Sequence, residues 1–228
     1  MVNILISGYY GFDNIGDESI LRTLVSSLRE HIPDCSLTVL SHNPASTREK
    51  YGVEAVDRMS PPAILRAVKK CDMLISGGGS LLQDVTSSKS LHYYLSIIRC
   101  AQFFRKKVFI YSQGIGPIDR PGNRRAAAKV LRKADGIVVR DERSAALLEE
   151  IGIACERVVI TADPVIRMKK PDKDVGAAIL KKAGVSLDGR LTIGWAIRER
   201  DKDSRFVAEI LKSIRWLKEK YNAQSVLI

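Results

Sequence analysis

The chain is poor in cysteine, histidine and aromatic residues and has no long apolar run, and each shortage removes a class of protein. Four cysteines are spread over 228 residues. Cys35, Cys71, Cys100 and Cys155 form no Cys-x-x-Cys pair and have no histidine at metal-ligand spacing, which excludes a disulfide scaffold and a zinc ribbon and fits reduced thiols. The histidines His31, His42 and His92 stand far apart. No Ser-His-Asp relay or metal site can be assembled from them, so no metal is expected; only His92, beside Tyr93-Tyr94, is placed to border a site. No apolar stretch approaches the ~20 residues of a membrane span. A strand-like run begins almost at Met1 and leaves no room for a signal peptide, so the expected location is cytoplasmic.

Acid is also scarce: 37 lysines and arginines face 26 aspartates and glutamates, a net charge of +11. Such an excess favours acidic partners. Nucleic acid is not expected among them, because there is no RNP-type sequence, no zinc-finger spacing and no basic tail. Short basic runs at Arg105-Lys106-Lys107, Arg124-Arg125 and Lys169-Lys170 admit a peripheral contact with the inner face of a membrane. None of them reaches the about 4–8 clustered basic residues that make such a case alone. A scattered, solvated basic surface accounts for the same excess. No feature of the sequence specifies an oligomeric state.

What the chain does have is alternation. Apolar runs at Asn3–Ser7, Ser36–Leu40, Glu54–Val56, Met73–Ser76, Val108–Ser112, Gly136–Val139 and Val158–Ile160 read as buried strands. Between them, helical spacing marks Asp17–His31, Pro61–Lys70, Leu91–Phe104 and Asp141–Ile151. The pattern predicts an α/β fold, a Rossmann-like doubly wound parallel sheet in which the first and fourth strands are neighbours. Composition changes after Asp163-Pro164. A domain at 1–167 is expected to be followed, over 168–228, by a linker and the start of a second Rossmann-like domain. That part holds a helix near Val175–Lys182, a strand at Leu191–Ile197, a helix at Phe206–Tyr221 and a last strand at Gln224–Ile228. Two strands cannot bury both faces of a sheet, so the second domain is expected to be only begun.

Three glycine-rich turns follow strands and should line one crevice beyond the carboxyl ends of the sheet. The first, Gly8-Tyr9-Tyr10-Gly11-Phe12-Asp13-Asn14-Ile15-Gly16-Asp17-Glu18, lacks both dinucleotide spacing and the lysine of a phosphate loop. Its two carboxylates would repel a phosphate, so it should grip sugar hydroxyls: Asn14 and Asp17 as acceptors, Gly8 and Gly11 by backbone approach, and Tyr9 by its ring face. Asp17 would take a proton from an attacking hydroxyl, with Asp13 second; the plainer alternatives are a helix N-cap for Asp17 and a turn residue for Asp13. Gly77-Gly78-Gly79-Ser80 and Gln113-Gly114-Ile115-Gly116-Pro117 can turn N–H groups toward a ligand or serve close helix–sheet packing. Arg140 and Arg143, directly after a strand, can hold a carboxylate or phosphate, or else pair with Asp141 or Glu142. Arg198 and Arg200 are weaker candidates of the same kind.

Together the first turn, Ser76-Gly77-Gly78-Gly79-Ser80-Leu81-Leu82-Gln83-Asp84, Gln113-Gly114-Ile115-Gly116-Pro117-Ile118, Val139-Arg140-Asp141-Glu142-Arg143-Ser144 and Asp163-Pro164 resemble the polysaccharide pyruvyl transferase family, in consistent order over nearly the whole chain. The resemblance implies a glycosyltransferase-B-like pair of Rossmann-type domains. It also implies transfer of a pyruvyl group from phosphoenolpyruvate, a substrate rather than a cofactor, onto a sugar as a cyclic ketal. For the family's bacterial cell-wall branch it implies a lipid-linked saccharide acceptor with N-acetylmannosamine, in a polymer that anchors S-layer proteins. The family's C-terminal Arg-x-His-type motif has no counterpart here, so the acid is expected beyond Ile228. In this scheme Asp17, then Asp13, is the base, and Arg143 and Arg140 steady the donor's charge. A nucleotide-sugar glycosyltransferase on the same fold, or a noncatalytic sugar-binding fragment, are the alternatives.

Overall fold

β1 (Val2–Tyr10) is buried on both faces from Ile4 to Ser7, as a strand in the middle of a parallel sheet must be. In the computed structural model, which describes residues 1–85, 87–197 and 204–228, it is joined by six further parallel strands. These are β2 (Cys35–Ser41), β3 (Glu54–Asp57), β4 (Met73–Gly77), β5 (Lys107–Gln113), β6 (Gly136–Val139) and β7 (Val158–Ile160). Their order is β3-β2-β1-β4-β5-β6-β7, so the winding reverses between β1 and β4 and opens a crevice beyond those two strand ends.

Alternation along β1 divides the core. Leu5 packs into one apolar layer with Leu40, Leu74, Ile98, Val108 and Ile110; Ile4, Ile6 and Tyr10 enter the other with Leu21, Leu24 and Val39. The crossovers that cover these layers are α1 (Ile15–His31), α2 (Pro44–Tyr51), α3 (Pro61–Lys70), α4 (Ser88–Phe103), α5 (Pro121–Leu131) and α6 (Glu142–Glu150). α1 shows how the sequence writes such a helix. Asn14 caps it, Asp17 and Glu18 lie in its first turn, Arg29 and His31 in its last, and Ile20, Leu21, Leu24 and Val25 are buried along one face.

Two strands lose register as they reach the crevice. β1 shifts against β2 between Ser7 and Tyr10, and β5 shifts against β6 between Ile110 and Gln113, where Ser112 adopts φ +44°. Such bulges re-aim the residues that follow them. Short 3-10 turns at Cys155–Arg157 and Pro164–Arg167 flank β7.

The chain divides into two units, Met1–Met168 and Lys169–Ile228. The second holds α7 (Lys173–Lys182), β8 (Thr192–Trp195), α8 (Ser204–Tyr221) and β9 (Gln224–Leu227). β8 and β9 pair in parallel from Thr192–Gln224 to Trp195–Leu227, a single β-α-β turn of Rossmann type. No helix among the described residues is long and apolar enough to cross a membrane.

Candidate active site

The first glycine turn is held from three sides. Gly11, at φ +80°, donates its N–H to Glu18 Oε1 at 2.8 Å, and Glu18 Oε2 accepts from the Tyr51 hydroxyl. Asn14 Oδ1 accepts from the N–H groups of Gly16 (3.0 Å) and Asp17 (3.1 Å), so Asn14 is the helix cap and Asp17 is not. Asn14 thereby spends on the helix the acceptor oxygen that the sequence assigned to a sugar. Asp13 sits at φ +56° and pairs with Lys50 at 2.7 Å, the geometry of a turn residue.

Asp17 is thus released to face the second turn. Gly78 and Gly79 both have left-handed backbones, and a Cβ on Gly79 would lie 2.6 Å from Asp17 Oδ1. The carboxylate makes no hydrogen bond among the described residues. Its pKa is raised to about 6: burial is the main cause, Glu18 and Asp163 push the same way, and Arg140 pulls against them. A carboxylate poised there is largely ionised at neutral pH and still basic enough to accept a proton.

The third turn closes the other side. Gln113 is fully buried and donates from Nε2 to the Ser76 carbonyl (2.8 Å) and hydroxyl (2.9 Å), while its buried Oε1 has no partner among the described residues. The N–H of Gly114 donates to the Gly79 carbonyl at 3.0 Å, tying the second and third turns together. A Cβ on Gly114 would lie 2.9 Å from the Arg140 guanidinium and from the Ser80 hydroxyl, so a side chain there would displace one of them. Arg140 donates to Asp163 Oδ2 at 2.8 Å and to the Ser80 hydroxyl at 3.0 Å, and is only 3.7 Å from Asp141. Its main ion-pair partner is therefore Asp163, not its neighbour in sequence. Asp141 instead caps α6, accepting from the N–H (2.8 Å) and hydroxyl (2.7 Å) of Ser144, whose oxygen in turn accepts from Ile115 N–H.

Beyond Arg140 lies a hollow of about 400 Å³ between the third turn and α6, lined by Ser80, Gly114, Gly116, Arg124, Arg140 and Arg143 among others. Arg143 is exposed and forms no ion pair among the described residues. The structure thus brings Asp17, Gly77, Gly78, Gly79, Gly114, Gly116, Arg140 and Arg143 to adjoining parts of one rim, whereas Gln113, expected there, is buried beneath it with its amide on Ser76. Asp84, one turn on, does not join them: it accepts from the N–H groups of Asp119 and Arg120 and from Asn123 Nδ2, holding the loop together.

Gly8 and Tyr9 lie on the β2 side of the same rim, in a group with little sequence signal. Tyr9 stacks on Phe12 at 4.1 Å, and Phe12 stacks on His42 at 4.3 Å. Beneath them Arg58 is buried, donating to the Gly8 carbonyl at 3.0 Å and the Tyr94 hydroxyl at 3.1 Å, with its guanidinium 4.8 Å from the Tyr93 ring centroid. Tyr10 is fully buried and donates to the Gly77 carbonyl at 2.6 Å. The histidine at the rim is therefore His42, which directly follows β2. His92 lines a groove between α4 and α5 instead. Arg198 and Arg200 lie outside the described residues.

The family model described as "Polysaccharide pyruvyl transferase" matches residues 14–227. The amylovoran biosynthesis protein AmsJ of Erwinia amylovora is 22% identical over 239 residues, which cover 87% of this chain and 57% of that protein. The chain thus spans little more than half the length of that relative. Similar solved structures include Anabaena Alr3699/HepE in complex with UDP and glucose (TM-score 0.59, 11% identity, 100% of this chain and 69% of that one). Another is S. aureus MnaA with UDP (TM-score 0.61, 15% identity, 100% and 61%). A third is the UDP-GlcNAc 2-epimerase of Neisseria meningitidis bound to UDP-GlcNAc (TM-score 0.59, 13% identity, 100% and 66%). At such identities the likeness is one of fold, the glycosyltransferase-B-like arrangement.

Proposed function

The chain belongs to the polysaccharide pyruvyl transferase family, and from that premise we propose that it moves a pyruvyl group from phosphoenolpyruvate onto two hydroxyls of a sugar as a cyclic ketal. The observation that supports the proposal is the pairing of two parts of one rim: the Asp17 carboxylate, which forms no hydrogen bond among the described residues and has a pKa raised to about 6, and the guanidinium groups of Arg140 and Arg143, which line a hollow together with Arg124, Asp119, Asp141 and Glu150.

The chemistry divides between the two halves. A general acid distinct from Asp17, Asp13, Arg140 and Arg143 donates a proton to the methylene carbon of the enol ester and makes its neighbouring carbon electrophilic. One sugar hydroxyl bonds to that carbon while Asp17 takes its proton. The second hydroxyl forms the other C–O bond as the bond to phosphate breaks; phosphate leaves with the electron pair and takes up the proton of that hydroxyl as the ring closes. Arg140 and Arg143 offset the donor's carboxylate and phosphate charges by charge-assisted hydrogen bonds. Asp13, held by Lys50, is the second choice of base. The acceptor we propose is a lipid-linked saccharide, with N-acetylmannosamine as in the family's cell-wall branch, met by a cytoplasmic enzyme at the inner face of the membrane.

The test is acceptor-dependent phosphate release from phosphoenolpyruvate. In a protein that also supplies the acid, it should occur with Asp17 in place and fall to background in Asp17→Asn; full turnover by that variant would reject the base assignment. The UDP bound to the solved structural relatives favours a second reading, glycosyl transfer from a nucleotide sugar. Release of UDP from a sugar nucleotide, with no phosphate from phosphoenolpyruvate, would establish that reading instead. Saccharide binding with neither release would mark a noncatalytic sugar-binding protein.

A further inference from the structure

Arg124-Arg125, too short a run to form a cluster along the sequence, becomes part of one on the fold. Arg125, Lys129, Arg132 and Lys133 recur at i, i+4, i+7 and i+8, so α5 and its final turn carry them on one face over about 12 Å. With Arg124 they line a hollow of about 640 Å³ in which Glu150 is the one carboxylate. Two of the five cations are held internally: Arg124 donates to Ile118 O and pairs with Glu150 at 3.2 Å, and Arg132 donates to Gly152 O and Ile151 O. Arg125, Lys129 and Lys133 are exposed and form no ion pair among the described residues. The four cations left beyond the Arg124–Glu150 pair fall within the range of about 4–8 basic residues that hold a protein on an anionic lipid surface.

We propose that this face of α5 is a docking surface for an anionic phospholipid bilayer, the cations meeting its phosphate headgroups. The composition of the hollow argues for lipid over nucleic acid. The rest of its lining is Ala128 and Ile151, with no aromatic ring for a base to stack on and no amide to read a base edge. Arg124 and Glu150 also line the hollow that contains Arg140 and Arg143, so a bilayer held on α5 would lie beside the candidate site. The proposal rests on charge and placement alone and stands or falls separately from the reaction.

Co-sedimentation with vesicles tests it, using phosphatidylcholine alone and phosphatidylcholine with phosphatidylglycerol. The protein should bind the second and not the first, and raising the salt from ~0.1 M to ~1 M should release it, because the Debye length falls from about 10 to 3 Å. The triple variant Arg125→Gln/Lys129→Gln/Lys133→Gln should bind about 100-fold more weakly, at roughly fivefold per cation, with an unchanged melting temperature. Arg66→Gln/Lys69→Gln/Lys70→Gln, which removes the same charge from α3, should bind as the wild type does. Equal loss in both triple variants would reduce the effect to net charge and overturn the assignment. So would failure to bind the anionic vesicles, or tighter binding to duplex DNA that the α5 triple abolishes.

Discussion

Asp17 occupies an environment that opposes its own charge. Burial, Glu18 and Asp163 outweigh the pull of Arg140 and raise its pKa from 3.8 to about 6. A carboxyl that binds its proton more tightly in the folded state lowers stability as pH rises from about 4 to 6, and the penalty is complete above that window. Because the group is partly exposed, the penalty after solvent screening is about 1 kcal/mol. Asp17→Asn should therefore raise the melting temperature at pH 8 by about 2–4 °C and leave it unchanged near pH 4, as thermal unfolding at the two pH values would show. In the wild type, kcat/KM should fall about tenfold per unit below pH 6, as the base is protonated. A flat acid limb would remove Asp17 from that role. Arg58 presents the opposite case, a buried cation stabilised by aromatic faces and two hydrogen bonds. A lysine cannot reproduce the planar fork. Arg58→Lys should cost about 2–3 kcal/mol in urea unfolding and free the Tyr9 ring from its stack, seen as a change in near-ultraviolet circular dichroism.

Between elements, the turns hold the site by close approach. Gly79→Ala must place a Cβ at a left-handed residue, 2.6 Å from Asp17 Oδ1. Backbone strain alone should cost about 1–2 kcal/mol, whereas the displaced carboxylate should cost about 100-fold in phosphate release. Gly122→Ala in α5 meets nothing within 4 Å and should instead stabilise by about 0.5–1 kcal/mol. Melting temperature and turnover measured on both variants separate the two effects. The same contrast explains what was legible beforehand. Strands buried on both faces leave continuous apolar runs, so β1 to β7 could be read to within a few residues, and the turns after β1, β4 and β5 marked the crevice. α2 escaped because only Thr47 and Tyr51 are buried in it, and α5 because its buried face includes Asn123 and two alanines. The Tyr9–Phe12–His42 stack and buried Arg58 join the ends of β1 and β2 with α4, contacts that exist only after folding. Asn14 and Asp17 shared one helix start, and spacing did not tell which of them would cap it.

At the scale of the whole molecule, the two units differ in how much each buries. In Met1–Met168 the interior strand β1 is bonded on both sides, by β2 and β4, and Leu5, Ile6 and Leu74 are wholly excluded from solvent. In Lys169–Ile228, Ala223 is the one buried side chain among the described residues, and Phe206, Val207, Leu211 and Trp216 of α8 each stay about half exposed. A two-stranded sheet with strands of four residues cannot match the cooperativity of seven strands covered on both faces. Local opening free energy follows buried apolar contact, so the two sheets of this 228-residue polypeptide should open independently. Hydrogen exchange followed by mass spectrometry would show it. The amides of β1, β4 and β5 should exchange only through global unfolding, and those of β8 and β9 at least about 100-fold faster. Denaturant at concentrations below the main transition should erase the protection of β8 and β9 and leave that of β1 intact. Equal protection of both sheets would mean that the second unit draws stability from contacts outside its own β-α-β turn.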